Sequence, residues 1–230
     1  MTQEALIPVP IPDRIAAGQG LARLLSAYRR RPDVIVLALP RGGVPVAYQI
    51  AAALEAPLDL MLVRKLGVPG HAELAMGAIA SGGVRVMNPD VLDCARVDQA
   101  SVEAVAEREA AELLRRARVY RGERPAPVLR DRQVILVDDG VATGATMHAA
   151  VQAVRQQAPT RIIIAVPVAA AESAAQLRGQ VDELVCPCEP LMLMAIGHWY
   201  VDFGQTPDEE VVDLLHRAWQ REGEWRPLHR

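Results

Sequence analysis

The sequence is almost devoid of lysine: Lys65 stands alone against 24 arginines. It is nearly as poor in aromatics, which make up 3% of its 230 residues and include a single phenylalanine. Three cysteines, Cys94, Cys186 and Cys188, are too few for a disulfide framework. Cys186-Pro-Cys188 with His198 nearby is a thin pattern for zinc. Long apolar runs are missing too. The longest, Ile162–Ala171, is strand-length and flanked by Arg161 and Glu172, well short of the roughly 18 to 20 residues that span a bilayer. The N-terminus lacks a basic start followed by an apolar run, so no secretory signal is expected. There is no strong excess of either charge, the formal net charge being −3, which argues against a surface built for nucleic acid or membrane. These absences lead to the expectation of a cytoplasmic protein with no membrane or nucleic-acid partner. The scarcity of lysine fits a genome rich in G and C, and on that background the one survivor marks a position worth testing.

What is present is a chain that is 51% apolar, too much for disorder and enough for a substantial core without staples. Four short β-branched runs recur at Val34–Leu39, Leu58–Val63, Val134–Val137 and Ile162–Val166, with a weaker fifth at Glu183–Cys186. Most lack period-2 alternation, as in strands covered on both faces of a parallel sheet. Helical patterns fall between them: Asp13–Tyr28 with Asp13 as N-cap, Val44–Leu54, Asp98–Tyr120, Thr146–Gln157, Glu172–Leu177, and Pro207–Gln220 behind a Thr206 cap. Strand-helix alternation of this kind predicts an α/β fold with a mainly parallel sheet. We expect one domain over 1–230, with a core about 13–186, a helical insertion about 98–120, a hood about 187–206 and a C-terminal helix about 207–220. Gly67–Gly83, with five glycines, reads as a mobile loop or loose ribbon. The arginines of the long helix, Arg115 and Arg116 among them, are interrupted by Glu109 and Glu112 and read as a solvated face.

The chemistry concentrates in Val134-Ile-Leu-Val-Asp138-Asp139-Gly140-Val-Ala142-Thr143-Gly144-Ala145-Thr146. A buried strand ends in two carboxylates, then a small-residue turn, then a helix. Ala142–Thr146 places backbone N–H groups and two hydroxyls at a helix N-terminus, a cup for phosphate. The acids cannot serve that same phosphate; they suit sugar hydroxyls or a divalent cation held between protein and ligand. Cup and acids together describe a ribose 5-phosphate site. After the first strand, Pro40-Arg41-Gly42-Gly43 offers backbone N–H groups and a guanidinium fork to an anion.

These segments resemble the phosphoribosyl-diphosphate (PRPP) signature of type I phosphoribosyltransferases. The resemblance extends over most of the chain through Leu39–Ala47 (LPRGGVPVA), Val63–Gly67 (VRKLG), Glu73–Ala78 (ELAMGA) and Val137–Thr146 (VDDGVATGAT), and is strongest to bacterial proteins with a general phosphoribosyltransferase domain. It implies a Rossmann-like parallel sheet flanked by helices, a flexible loop and a C-terminal hood, and a Mg²⁺-dependent transfer of the 5-phosphoribosyl group from PRPP to a small acceptor, with release of pyrophosphate. By the same resemblance Pro40, Arg41, Gly42 and Gly43 bind pyrophosphate, with a cis peptide near Pro40–Arg41. Arg64 and Lys65 lie beside the diphosphate. Among the loop's ionisable groups, Glu73 either handles a proton or touches the metal, or is a solvated loop charge. Asp138 and Asp139 hold the ribose and, directly or through water, the metal; Ala142, Thr143, Gly144, Ala145 and Thr146 bind the 5-phosphate. The hood either contributes Trp199, Tyr200 and Asp202 to the acceptor, or its aromatics pack it against the sheet. Hypoxanthine-guanine enzymes carry an acid where this chain has Ala142, so that proton partner is missing, and the acceptor stays open among nucleobases and other amines. A homodimer is compatible with the family. The rival reading is a regulatory PRPP or nucleotide binder that has lost catalysis.

Overall fold

A computed structural model describes residues 7–81 and 83–225. Helix α1 (Arg14–Leu24) starts where Asp13 accepts the Ala16 N–H at 2.7 Å, the expected cap. It stops well before Tyr28, which lies in a separate short turn of 3₁₀ helix, Ser26–Tyr28. Strand β1 (Val34–Ala38) and helix α2 (Gly43–Leu54) follow. The run at Leu58–Val63 is not one strand. Strand β2 (Leu58–Leu60) belongs to the main sheet, and Val63 opens β3 (Val63–Val68) in a second sheet. The glycine-punctuated stretch is a ribbon: β3 pairs antiparallel with β4 (His71–Ala80), which pairs with β5 (Val84–Met87). Its register shifts on either side of Gly67, so the glycines serve an irregular ribbon rather than a structureless loop. Gly82 falls outside the described residues.

Helices α3 (Pro89–Ala95) and α4 (Gln99–Arg121) follow the ribbon, the latter capped by Asp98 and covering the stretch expected as a helical insertion. Then come β6 (Gln133–Val137), α5 (Ala145–Arg155), β7 (Arg161–Ala165), α6 (Ala171–Arg178) and β8 (Glu183–Val185). Helix α7 (Asp208–Trp225) runs past the expected end at Gln220. The main sheet is parallel throughout, in the order β2-β1-β6-β7-β8.

Each central strand feeds two cores, one on either face. Val34, Val36, Ala38, Ile135, Val137 and Ile163 join one cluster; Ile35, Leu37, Val134, Leu136, Ile162 and Ile164 join the other. Alternate Cβ atoms point to opposite faces, which is why these runs are apolar without alternation. The first cluster is closed by α1, α2, α4 and α7 together with the ribbon, the second by α5 and α6. The chain leaves β1 toward β2 on one side and leaves β6 toward β7 on the other. The loops after these neighbouring strands therefore diverge and open a crevice at their C-terminal ends, the place where open α/β sheets bind ligands. Among the described residues, no helix is long and apolar enough to cross a membrane.

Candidate functional site

Both sequence motifs meet in this crevice. Leu39 donates its N–H to the Val137 carbonyl at 2.9 Å and so ties the end of β1 to the end of β6. The Pro40–Arg41 peptide is cis. The two glycines that follow lie against the acidic pair. A Cβ on Gly42 would sit 1.9 Å from Asp139 Oδ2, and one on Gly43 would sit 2.7 Å from the Val137 carbonyl oxygen and 3.0 Å from Asp138 Cα. Gly42 has ordinary helical angles, φ −61° and ψ −31°, so it is glycine for space, not for conformation. One part of the reading from sequence changes here. The Gly43 N–H is taken by the Leu39 carbonyl at 3.1 Å as α2 begins, so Gly43 is a packing glycine and does not offer its amide to an anion.

Asp138 and Asp139 follow the strand that pairs with β1. Asp138 Oδ1 accepts the Asp139 N–H at 2.9 Å. Withdrawal from water, joined by the neighbouring Asp139 charge, pushes the Asp138 carboxyl well above the usual carboxylate range. Asp139 is buried and meets a residue that the sequence did not single out: Arg14, in the first turn of α1. Arg14 Nε and Nη2 both lie 2.8 Å from Asp139 Oδ2, and its Nη1 donates to the Gly204 carbonyl at 2.6 Å. The guanidinium also lies 4.0 Å from the centre of the Phe203 ring. No local signal marks Arg14, because its partner is 125 residues away.

The cup follows. Gly144 has φ +76°, a left-handed conformation that suits glycine, and it starts α5. Thr143, Ala145 and Thr146 are exposed at that helix N-terminus. Ala142 is held from the side: its carbonyl accepts the Ser173 hydroxyl at 2.6 Å. Ser173, on α6, is a second supporting residue that sequence reading passed over.

The other expected site residues are placed less uniformly. Arg41 lines two cavities. One, of about 390 Å³, it shares with Arg14, Gly42, Asp139 and Phe203. The other, of about 230 Å³, it shares with Arg115, Arg116, Tyr120 and Asp208. Arg64 forks onto Glu109 of α4, its Nε and Nη2 lying 2.9 and 2.7 Å from Oε2, yet it still lines a small cavity with Pro40 and Thr146. Lys65 is exposed. Being adjacent strand residues, Arg64 and Lys65 project to opposite faces of β3, whereas the resemblance implies that both lie beside the diphosphate. The Glu73 side chain lies outside the described residues.

In the hood, Tyr200 is buried and its hydroxyl donates to the Asp139 carbonyl at 2.7 Å. Its ring packs 4.8 Å from that of Phe203. Burial pushes its pKa far up, so it stays a donor. Tyr200 therefore fastens the hood to the acidic pair instead of offering a bare face to a ligand. Trp199 is partly buried against the first core cluster. Asp202 is exposed, and its Oδ1 accepts the Gly204 N–H at 3.1 Å. At the far edge of the sheet, Cys186 is held as a thiol by burial, which pushes its pKa up to about 12. Among the described residues no three histidine, cysteine or acidic groups gather as a metal cluster.

Comparison with known proteins places this geometry in context. The model of the phosphoribosyl transferase domain matches residues 11–199. A provisionally named phosphoribosyl transferase of Mycobacterium tuberculosis, found in strains H37Rv and CDC 1551, is 46% identical over 206 residues, which is 90% of this chain and 46% of that protein. The chain thus spans about half the length of the curated relatives it matches. The crystal structure of TT1426 from Thermus thermophilus superposes with a TM-score of 0.79 at 42% identity, over 89% of this chain and 97% of that one.

Proposed function

Because the chain belongs to the phosphoribosyl transferase domain family, we propose that its crevice binds PRPP and transfers the 5-phosphoribosyl group to an acceptor, a nucleobase being the best-suited class. The observation that carries this reading is the convergence of three parts. The Asp138–Asp139 pair and the Ala142–Thr146 cup occupy one strand end, and the Pro40–Gly43 loop packs directly on the pair through Gly42. A phosphate cup beside diol-binding acids, facing a loop that carries a cation, matches the three portions of PRPP: the 5-phosphate, the neutral ribose diol and the diphosphate.

In the transfer, the bond from the anomeric carbon to the diphosphate oxygen breaks, and a bond from the same carbon to the acceptor forms. The cup anchors the 5-phosphate and supplies binding energy remote from the reacting atoms. Asp138 and Asp139 orient the ribose hydroxyls, with Arg14 fixing the Asp139 carboxylate from behind. Arg41 faces the leaving diphosphate. Trp199 and Asp202 border the acceptor, and Tyr200 positions the hood above Asp139. The ribbon that carries Arg64, Lys65 and Glu73 is read as the cover that limits water at a cation-like ribose. Ala142 has no proton to exchange with the acceptor, so the acceptor's proton leaves by another group.

The donor set fits Mg²⁺. Two adjacent carboxylates offer hard oxygen ligands, and the burial and the neighbouring negative charge that together raise the Asp138 carboxyl are what a shared cation would offset. Held by Asp138 and Asp139, directly or through water, the ion supplies charge neutralisation to the diphosphate when bound. We take the chain as one domain that works in the cytoplasm; free thiols at Cys94, Cys186 and Cys188 suit that compartment.

Calorimetry with PRPP and Mg²⁺, followed by a panel of nucleobases with PRPP consumption as readout, tests the proposal. The wild type is expected to bind PRPP and consume it with at least one base, and Asp138→Asn is expected to lose PRPP binding while retaining its melting temperature. Binding without turnover across the panel would favour the regulatory reading. An absence of PRPP binding would overturn both.

A further inference from the structure

The cavities around the Pro40–Gly43 loop form a linked series. The cavity at Asp139 and Arg14 shares Arg41 with the next one, which contains Arg115, Arg116, Tyr120 and Asp208. That cavity in turn shares Arg116 with the small one bounded by Pro40, Arg64 and Thr146. Arg116 is therefore the residue that connects the loop's arginine to the edge of the phosphate cup. It comes from α4, the insertion helix, whose charged face reads from sequence as solvated. Of its neighbours on that helix, Arg115 lines only the middle cavity, and Arg118 is exposed and lines neither.

We propose that Arg116 contacts the diphosphate of the ligand and, with Arg41 and Arg64, completes a half-ring of guanidinium groups around the Pro40–Gly43 loop. This rests on the PRPP reading and adds to it a residue from outside the sheet. Three observations carry it. The first is position, since Arg116 borders two of the three cavities described around the loop, the one at Arg41 and Asp208 and the one at Pro40, Arg64 and Thr146. The second is how lightly it and Arg41 are held. Arg116 Nε meets Glu112 Oε1 at 2.8 Å in a pair whose side chains are 41% and 28% exposed, and Arg41 Nη1 is 3.8 Å from Asp208 Oδ1 in a pair that is still more exposed overall. Exposed pairs of this kind are weak in water, so either guanidinium can turn to a stronger anion. The Glu109 carboxylate that Arg64 engages is 11% exposed, a firmer hold that leaves Arg64 less able to swing. The third is the path of β3, which sends Lys65 to the face opposite Arg64. The cation expected beside Arg64 on this side is then supplied by α4. A planar fork with five N–H donors is suited to bridging two phosphoryl groups.

The test uses the full chain and two separate probes, inorganic pyrophosphate with Mg²⁺ and ribose 5-phosphate, measured by calorimetry alongside PRPP. Arg116→Gln is expected to weaken pyrophosphate and PRPP binding by about 10- to 100-fold, the loss of one or two charge-assisted hydrogen bonds, and to leave ribose 5-phosphate affinity within about twofold. Arg116→Lys should recover part of the loss. Arg118→Gln, which removes the same charge from the same helix, should leave all three affinities within about twofold. If the wild type binds PRPP and Arg116→Gln binds pyrophosphate and PRPP equally well, the role of Arg116 is refuted and the PRPP reading stands. Equal losses for ribose 5-phosphate and pyrophosphate with a lowered melting temperature would also refute it, as a purely structural effect. A wild type that binds none of the three ligands would overturn the PRPP reading itself.

Discussion

Replacing Gly42 with alanine perturbs the site with the least chemistry. The backbone accepts it, because φ −61° and ψ −31° are helical, and removing glycine's freedom in the unfolded chain would by itself stabilise the protein by about 0.4–1 kcal/mol. The new Cβ, however, falls 1.9 Å from Asp139 Oδ2 and 2.6 Å from its Cγ, where contacts under 3.0 Å force something to move. The carboxylate must retreat by at least about 1 Å. Only the side chain of Asp139 needs to turn, so strain in the fold is modest. Turning it disrupts the two-point contact with Arg14, a charged interaction of about 1.5–3 kcal/mol that partial reformation would soften. We expect a net destabilisation of about 1–2 kcal/mol, or about 2–8 °C in melting temperature for a chain of this size. Affinity should suffer too: a displaced carboxylate gives up one or two charged hydrogen bonds to the ribose, which weakens ribose 5-phosphate binding by about 10- to 100-fold. Gly43→Ala provides the contrast. Its Cβ meets the Val137 carbonyl oxygen and Asp138 Cα, backbone atoms of a buried strand end that cannot rotate away, so stability should fall by about 1–3 kcal/mol or more. The assay pairs thermal melting with ribose 5-phosphate calorimetry. If Gly42→Ala binds ribose 5-phosphate within about twofold of the wild type, the loop does not set the position of Asp139, and the reasoning fails.

Two further predictions concern support for the site. Asp59 and Arg121 form an ion pair at 2.5 Å with side chains 4% and 5% exposed, and Arg121 also donates to the Leu60 carbonyl; Asp59→Asn strips Arg121 of its counter-charge and should cost about 3–5 kcal/mol by urea unfolding, whereas Asp59→Leu combined with Arg121→Met should recover most of that. Tyr120 donates to Asp208 Oδ1 at 2.7 Å, and burial together with that carboxylate pushes its pKa up to about 12 from 10.0. A raised folded-state pKa means that the contribution is complete below pH about 10 and is lost as pH climbs through about 12. Tyr120→Phe should therefore show a flatter fall in stability over that window, and an unchanged slope would show that Tyr120 does not titrate late.

Much of this site was readable in one dimension because its chemistry is local. The proposed phosphate cup needs only consecutive N–H groups at a helix start, and Ala142–Thr146 lie together where α5 begins. The acids precede the cup on the same strand end. The apolar runs of β1, β6 and β7 announced a sheet covered on both faces, because a buried strand needs apolar side chains at every position, whichever way each one points. Segments that lacked a single period were harder to read. Leu58–Val63 looked continuous, yet the chain passes from one sheet to another between Leu60 and Val63, a change that no residue in the run signals. The ribbon's glycines suggested looseness, since glycine reports permissive backbone and not whether a partner strand is present.

The sequence by itself determined the strand-helix alternation, the cup, the acidic pair and the loop of glycines, since each is a matter of residue type at short spacing. Tertiary structure alone decided which distant groups complete them. It brought Arg14 onto Asp139 across 125 residues, hung Tyr200 from the carbonyl of the same aspartate, and set Arg116 of an inserted helix at the junction of two cavities beside Pro40 and Arg41. The physical reason is the same in each case. Adjacency along the chain fixes backbone geometry over a turn or a strand, but long side chains take their partners from whatever the packing of the sheet and its helices brings within reach.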